Sequence, residues 1–263
     1  MRALPVHPLL ADILAAVCVT RHETAGDYRV LPDIYTVMGF QFSGRIYHSG
    51  ENRALSPFGV TGILDCGRSF RSDASTHSLL LFFRPGGFYR VFGPVASAIG
   101  SASLDLGEVT PKSKDFTEIL EAPGAFPVKW RKIQEKMLRL LNRDLSYETR
   151  HTLRILQSDG GNPRIGDVAR ELGISRRTLE RRFAAEVGTP PKHLARIVRW
   201  RQTMKQLGRF SDFGTAALAH GYFDQAHFIR ETQALGGSSP AKLKNLVFKA
   251  RCRIYTMRFF RKT

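Results

Sequence analysis

The sequence predicts an α+β chain of two unlike parts, the first rich in strands and the second all helical. Three observations carry this. Up to residue 92, short apolar runs alternate with Gly, Pro, Ser and Asp, as strands joined by turns require. From about Pro94 the apolar spacing lengthens to that of helices. Near the C-terminus a short helix, a glycine turn and a second helix occur twice, with the turn glycines Gly173 and Gly221 set 48 residues apart.

The elements follow in chain order. Ile34–Phe42, Gly59–Leu64 and Leu79–Phe83 read as strands bounded by turn residues. Asp65–Gly67, Ser72–Ser75 and Arg84-Pro85-Gly86-Gly87 read as turns; a ligand loop is the second reading of the last. Residues 101–114 look like a loop. Trp130, Ile133, Met137, Leu140 and Leu141 recur at helical spacing and predict an amphipathic helix over about 127–142. A helix over about 147–157 then ends at Ser158-Asp159-Gly160-Gly161-Asn162-Pro163.

Charge separates the two parts further. The 263 residues hold 40 Lys plus Arg against 23 Asp plus Glu, a net of +17, long enough for one large domain or two smaller ones. Residues 151–263 carry +14 of that excess. A solvated surface does not explain why one end took nearly all of it, so nucleic-acid contact is expected there. No apolar run approaches the roughly 20 residues of a spanning helix. A secretory signal is not expected either, because Pro5, His7, Pro8 and Asp12 interrupt the first apolar stretch. Cys18, Cys66 and Cys252 are odd in number and far apart, which suits a reducing cytoplasm and neither a disulfide framework nor a zinc knuckle.

The second part holds the informative pattern, beginning at RIGDVARELGISRRTLERRFAA. Val168, Ala169 and Leu172 make one apolar edge of a short helix, and Gly173 breaks it. Ser175 suits an N-cap, since its hydroxyl accepts a free backbone N–H. Leu179 and Phe183 then share a face, leaving Arg176, Arg177, Glu180 and Arg181 largely outward. Four Arg over 176–182 with one acid is costly self-repulsion on an ordinary hairpin. It is what a helix entering a groove about 12 Å wide needs.

A weaker copy reads FGTAALAHGYFDQAHFIRETQ. Allowing one extra turn residue, Asp224 falls opposite Ser175, Phe228 opposite Leu179 and Arg230 opposite Arg181. Between the copies Pro191–Leu207 predicts a helix of about 25 Å. Its stripe is Leu194, Ile197, Val198, Met204 and Leu207. Two helices on one such spacer suit successive major grooves, roughly 34 Å apart.

These residues resemble the AraC/XylS-type transcription regulators. The resemblance covers about residues 147–246, in VARELGISRRTLERRF, VGTPPKHLARIVRWRQ and GYFDQAHFIRE followed by GGSSP. It implies two helix-turn-helix units joined by a long helix. By position, base readout falls to Arg176, Arg177, Glu180 and Arg181, and to Gln225, Ala226, His227 and Arg230 with Asp224 as cap. Arg suits guanine, Gln adenine, and Glu180 a cytosine amine. His227 has a second reading as a half-buried residue at a helix contact. Lys192, Arg199 and Arg201 are expected at phosphates or in solvent. The second unit departs from the family at Ala216, His220 and Thr232, where larger or apolar residues are usual, so weaker packing is expected there.

LPDIYTVMGFQFSG and LLLFFRPGGFYRVFGPVASAIG resemble the sensor half of one AraC-type subgroup. That implies a small cupin-like β-barrel over about 1–92 and helices over about 93–142, a sensor or dimerisation domain over 1–142 that binds an effector or a second copy. A barrel enzyme is the competing reading. His7, His22, His48 and His77 are isolated, without the clustered His and Glu of metal-dependent cupins. Cys66 reads as a buried inert thiol, and Gly86-Gly87 lacks the Lys-Ser/Thr of a phosphate loop.

The resulting expectation is a sequence-specific, effector-responsive DNA-binding transcription regulator, not an enzyme. Its partners are double-stranded DNA, a small-molecule effector and a second copy; no cofactor or metal is expected. Alternatives are a cupin-type enzyme with a nucleic-acid tether and a non-specific nucleic-acid binder. Residues 247–263 form a basic tail with Lys249, Arg251, Arg253, Arg258, Arg261 and Lys262 among aromatics. Phosphate contact, lipid contact and an accessory helix all fit it.

Overall fold

A computed structural model describes residues 2–49, 53–248 and 257–259. The first part forms from β1 (Arg2–Ala3), β2 (Leu14–His22), β3 (Gly26–Val30), β4 (Thr36–Ser43), β5 (Ile46–His48), β6 (Arg53–Ala54), β7 (Phe58–Thr61), β8 (Arg68–Ser72) and β9 (Thr76–Phe83). Next come α1 (Gly87–Phe92), α2 (Ala96–Ile99), β10 (Ser103–Asp105), α3 (Leu106–Val109), α4 (Ser113–Glu121) and α5 (Phe126–Leu140). One antiparallel sheet runs β1-β2-β9-β4-β7-β10. A second contains β3-β8-β5-β6, and β11 (Met257–Phe259) adds to its β3 edge.

The expected strands correspond to β4, β7 and β9, their ends displaced by at most three residues. The longest strand, β2, was hidden because LAAVCVTRH does not alternate. Its Val17 packs under the helices while Ala16 and Cys18 face the opposite side, so apolar residues occupy both faces. β9 behaves alike. Leu79, Leu81 and Phe83 pack on α1 and α5, whereas Leu80 and Phe82 turn to the inside of the barrel. Residues 101–114 are structured rather than loop. They hold β10, which pairs with β7, and α3, capped by Asp105.

The Arg84–Gly87 segment is the strand-to-helix turn. Gly86 has φ +80°, and a Cβ on Gly87 would lie 2.5 Å from the Ile13 carbonyl oxygen, so the chain needs glycine at both. Cys66 corrects the sequence reading, for it is exposed. Partial desolvation of the sulfur and the neighbouring Asp65 nevertheless hold its thiol above the usual range, so its thiolate is disfavoured.

The second part is α6 (Tyr147–Ser158), α7 (Ile165–Glu171), α8 (Arg176–Val187), α9 (Pro191–Gln206), α10 (Phe213–Ala219), α11 (Gln225–Gly236) and α12 (Pro240–Phe248). Pro191 opens α9 at its first turn, where the missing N–H costs nothing. Leu194, Ile197, Val198 and Met204 on α9 are buried among Leu179 and Phe183 of α8 and Phe228 of α11. Gly161 carries φ +82°, and a Cβ there would sit 2.2 Å from the Ala195 carbonyl oxygen, so the loop after α6 presses directly on α9. Leu31 and Ile63 of the barrel are buried in this same core, which joins the two parts. Most of the basic tail lies outside the described residues.

Candidate nucleic-acid interface and barrel cavity

The two helix-turn-helix units match in detail. α7 and α10 are each 7 residues long, and α8 and α11 are each 12. Gly173 (φ +67°) and Gly221 (φ +73°) make the turns. Behind each glycine one N–H returns to the preceding helix, from Ile174 to Ala169 O and from Tyr222 to Ala217 O, both at 3.0 Å. Ser175 Oγ then accepts the Thr178 N–H at 3.1 Å, and Asp224 Oδ1 accepts the His227 N–H at 2.6 Å. Gly188 and Gly237 close the helices in the left-handed conformation.

The exposed half of α8 presents Arg177 and Arg181, with no carboxylate partner among the described residues. Arg176 Nε meets Glu180 Oε1 at 2.8 Å, so these two steady one another along the helix. Behind them, Arg182 pairs with Glu148 of α6. On α11, Gln225, Ala226 and Arg230 are exposed. His227 is half-buried with its ring edge-on to Tyr222, and its Nδ1 accepts the Phe223 N–H at 3.3 Å. It therefore serves the turn in this structure.

Of the three residues expected at phosphates, Lys192 is exposed. Arg199 lies over the Tyr222 ring at 4.7 Å, fastening α9 to the second turn. Arg201 points the other way, into the barrel, where its Nη1 is 2.8 Å from Asp33 Oδ1. An ion pair that sequence reasoning missed joins α9 to α11. Arg196 Nε lies 3.0 and 3.2 Å from the two Glu231 oxygens, and its Nη2 is 3.0 Å from Oε2. Ala216 and Thr232 are fully buried, and the Thr232 hydroxyl has no hydrogen-bond partner among the described residues. Two of the three departures of the second unit thus fall on its core, while His220 is half-buried, edge-on to the Phe210 ring.

Between the two sheets lies a cavity of about 350 Å³, walled by Tyr28, Val30, Phe70 and Leu80 among others. Its polar residues include Thr20, Ser78 and Asp33. Asp33 also accepts the Ile34 N–H at 2.6 Å. Burial outweighs that bond and the nearby Arg201 and Lys205, so the Asp33 carboxyl is pushed up to about 6. Burial likewise lowers the His22 imidazole, which therefore lines the cavity in its neutral form at pH 7. No group of His, Cys, Asp and Glu able to hold a metal ion occurs among the described residues. No helix among them is long and apolar enough to cross a membrane.

Residues 168–245 match the family model described as a helix-turn-helix domain. ToxT from Vibrio cholerae is similar over 87% of this chain and 97% of its own, at 12% identity and TM-score 0.45. The C-terminal domain of AraT, a response regulator from Geobacillus stearothermophilus, is 23% identical over 39% of this chain and 88% of its own, with TM-score 0.36. An AraC-type transcriptional regulator from Chromobacterium violaceum is 22% identical over 39% of this chain and 93% of its own, with TM-score 0.35. No curated protein matches the chain.

Proposed function

We propose that the chain is a DNA-binding transcription regulator of the AraC type, which reads its target with α8 and α11, laid in successive major grooves and held in register by α9. The observation that carries this is the matched pair of units, equal in helix lengths and each with a left-handed glycine turn and a side-chain cap, clamped to one helix whose core they share. Arg177 and Arg181 supply donors to base edges in the first half-site, and Arg176 and Glu180 act as a coupled pair beside them. Gln225, Ala226 and Arg230 read the second. His227 positions the second turn. Lys192 and other exposed cations neutralise phosphates and supply most of the affinity.

Selection from a random DNA library with the full chain, then with Arg177→Ala and Arg230→Ala, tests the assignment. Each variant is expected to relax preference at a different base position, at a cost of about 1–3 kcal/mol. Equal weakening on every sequence would make the residue a phosphate contact.

The barrel cavity is the proposed effector site, and its volume suits a small molecule of mainly apolar character. Asp33 borders the cavity and holds Arg201 of α9, so a ligand that moves the Leu31–Asp33 segment changes the seat of the spacer helix. A cavity-filling Leu80→Trp variant is expected to bind DNA yet lose its response to an effector. A homodimer completes the proposal; sedimentation of the full chain should give twice 29.6 kDa. The protein does no chemistry of its own in this reading.

A further inference from the structure

The two turns differ by one residue, and that residue is the most exposed large apolar side chain among those described. The paired N–H bonds of Ile174 and Tyr222 show these two to be equivalent. The caps Ser175 and Asp224 are equivalent as well. Phe223 stands between Tyr222 and Asp224 and has no counterpart in the first unit. Tyr222 is buried and fills the core role, so packing does not require Phe223, whose exposure is 84%. Its backbone is nonetheless fixed, because its N–H is held by His227 Nδ1 and the next residue caps α11. A phenyl ring is thereby held in water immediately ahead of Gln225 and Ala226, at the end of α11 that enters the groove first.

We infer that Phe223 is a further specificity residue, reading a thymine through its 5-methyl group. This inference rests on α11 being a reading helix. The C5-methyl is the one apolar feature that a base pair presents in the major groove, and aromatic or small apolar side chains are its complement. Burying one methyl group is worth about 0.8 kcal/mol, close to fourfold in affinity. The second half-site therefore prefers thymine at one position next to those read by Gln225 and Ala226. The first half-site has no corresponding preference.

The experiment is a cycle between protein and DNA. A duplex chosen by selection with the full chain is remade with each thymine of the second half-site replaced in turn by deoxyuridine, which removes the methyl group alone. At one position the replacement is expected to weaken wild-type binding about fourfold and to leave Phe223→Ala binding unchanged. Phe223→Leu should restore part of the difference. Deoxyuridine without effect at every position, or with the same effect on wild type and Phe223→Ala, overturns the inference. Gln225→Ala and Arg230→Ala selections separate it from its premise. Unchanged preferences in both remove α11 as a reader, whereas altered preferences beside an additive Phe223 cycle remove Phe223 alone. Matching thermal midpoints for wild type and Phe223→Ala establish that the fold is kept.

Discussion

Asp33 Oδ1 and Arg201 Nη1 lie 2.8 Å apart, and this contact ties the wall of the barrel cavity to the helix that spaces the two helix-turn-helix units. Arg201 also lies 5.5 Å from the Tyr35 ring, so its guanidinium is held from two sides by the barrel. With a side-chain exposure of 16% it is not free for a phosphate in this conformation.

The pH dependence of that contact is predictable. Asp33 faces Arg201, Lys205 and the Ile34 N–H, yet burial raises its carboxyl from 3.8 to about 6. Between these values the native state keeps a proton that the unfolded chain has lost. Stability therefore falls as pH rises through the window and is level above about 6. The two-unit span corresponds to about 3 kcal/mol. Urea unfolding of wild type and Asp33→Asn from pH 4 to 7 checks it. The variant, neutral throughout, is expected to gain on wild type by that amount; parallel profiles would contradict it.

The Arg196–Glu231 bridge fixes α11 on α9. Arg196→Leu leaves a mostly buried carboxylate unpaired and is expected to cost about 2 kcal/mol, less than a fully buried pair because Arg196 keeps some solvent. Adding Glu231→Leu should recover most of the loss, since two apolar side chains replace a desolvated pair at little cost. Chemical unfolding of both variants measures this.

Thr232 is fully buried, and its hydroxyl has no partner among the described residues. Thr232→Val keeps the shape and removes the unsatisfied group, so it should stabilise the protein by about 1 kcal/mol. A drop in the unfolding midpoint would show that the hydroxyl has a partner in solution.

Gly161 meets the α9 backbone where no side chain fits. Gly161→Ala is expected to destabilise by about 3 kcal/mol or more, combining a left-handed backbone with a clash against the Ala195 carbonyl. Thermal unfolding reads it directly, and Gly166→Ala, on an open face of α7, is the control.

The helical part was legible because its signals are local. Ser175 and Asp224 as caps, Gly173 and Gly221 as turns, and the α9 stripe each depend on neighbours within a few residues. The barrel was less so. β2 and β9 bury both faces, which erases alternation, and β10 is a strand only because β7 lies beside it. The site residues divide the same way. Outward positions such as Arg177 and Arg181 follow from helical spacing, whereas Asp33–Arg201 joins positions 168 residues apart. Arg199 and Arg201 look like ordinary surface cations in the sequence. Only the packing of Tyr222 and of the barrel on α9 turns them inward.

Protection of guanine N7 from methylation on a selected operator tests the two-groove reading most directly. Two protected clusters are expected on one face of the duplex, about 10 base pairs apart. Arg177→Ala should expose only the first, and a combined Gln225→Ala, Arg230→Ala variant only the second. A single cluster, or loss of both on either change, would contradict it.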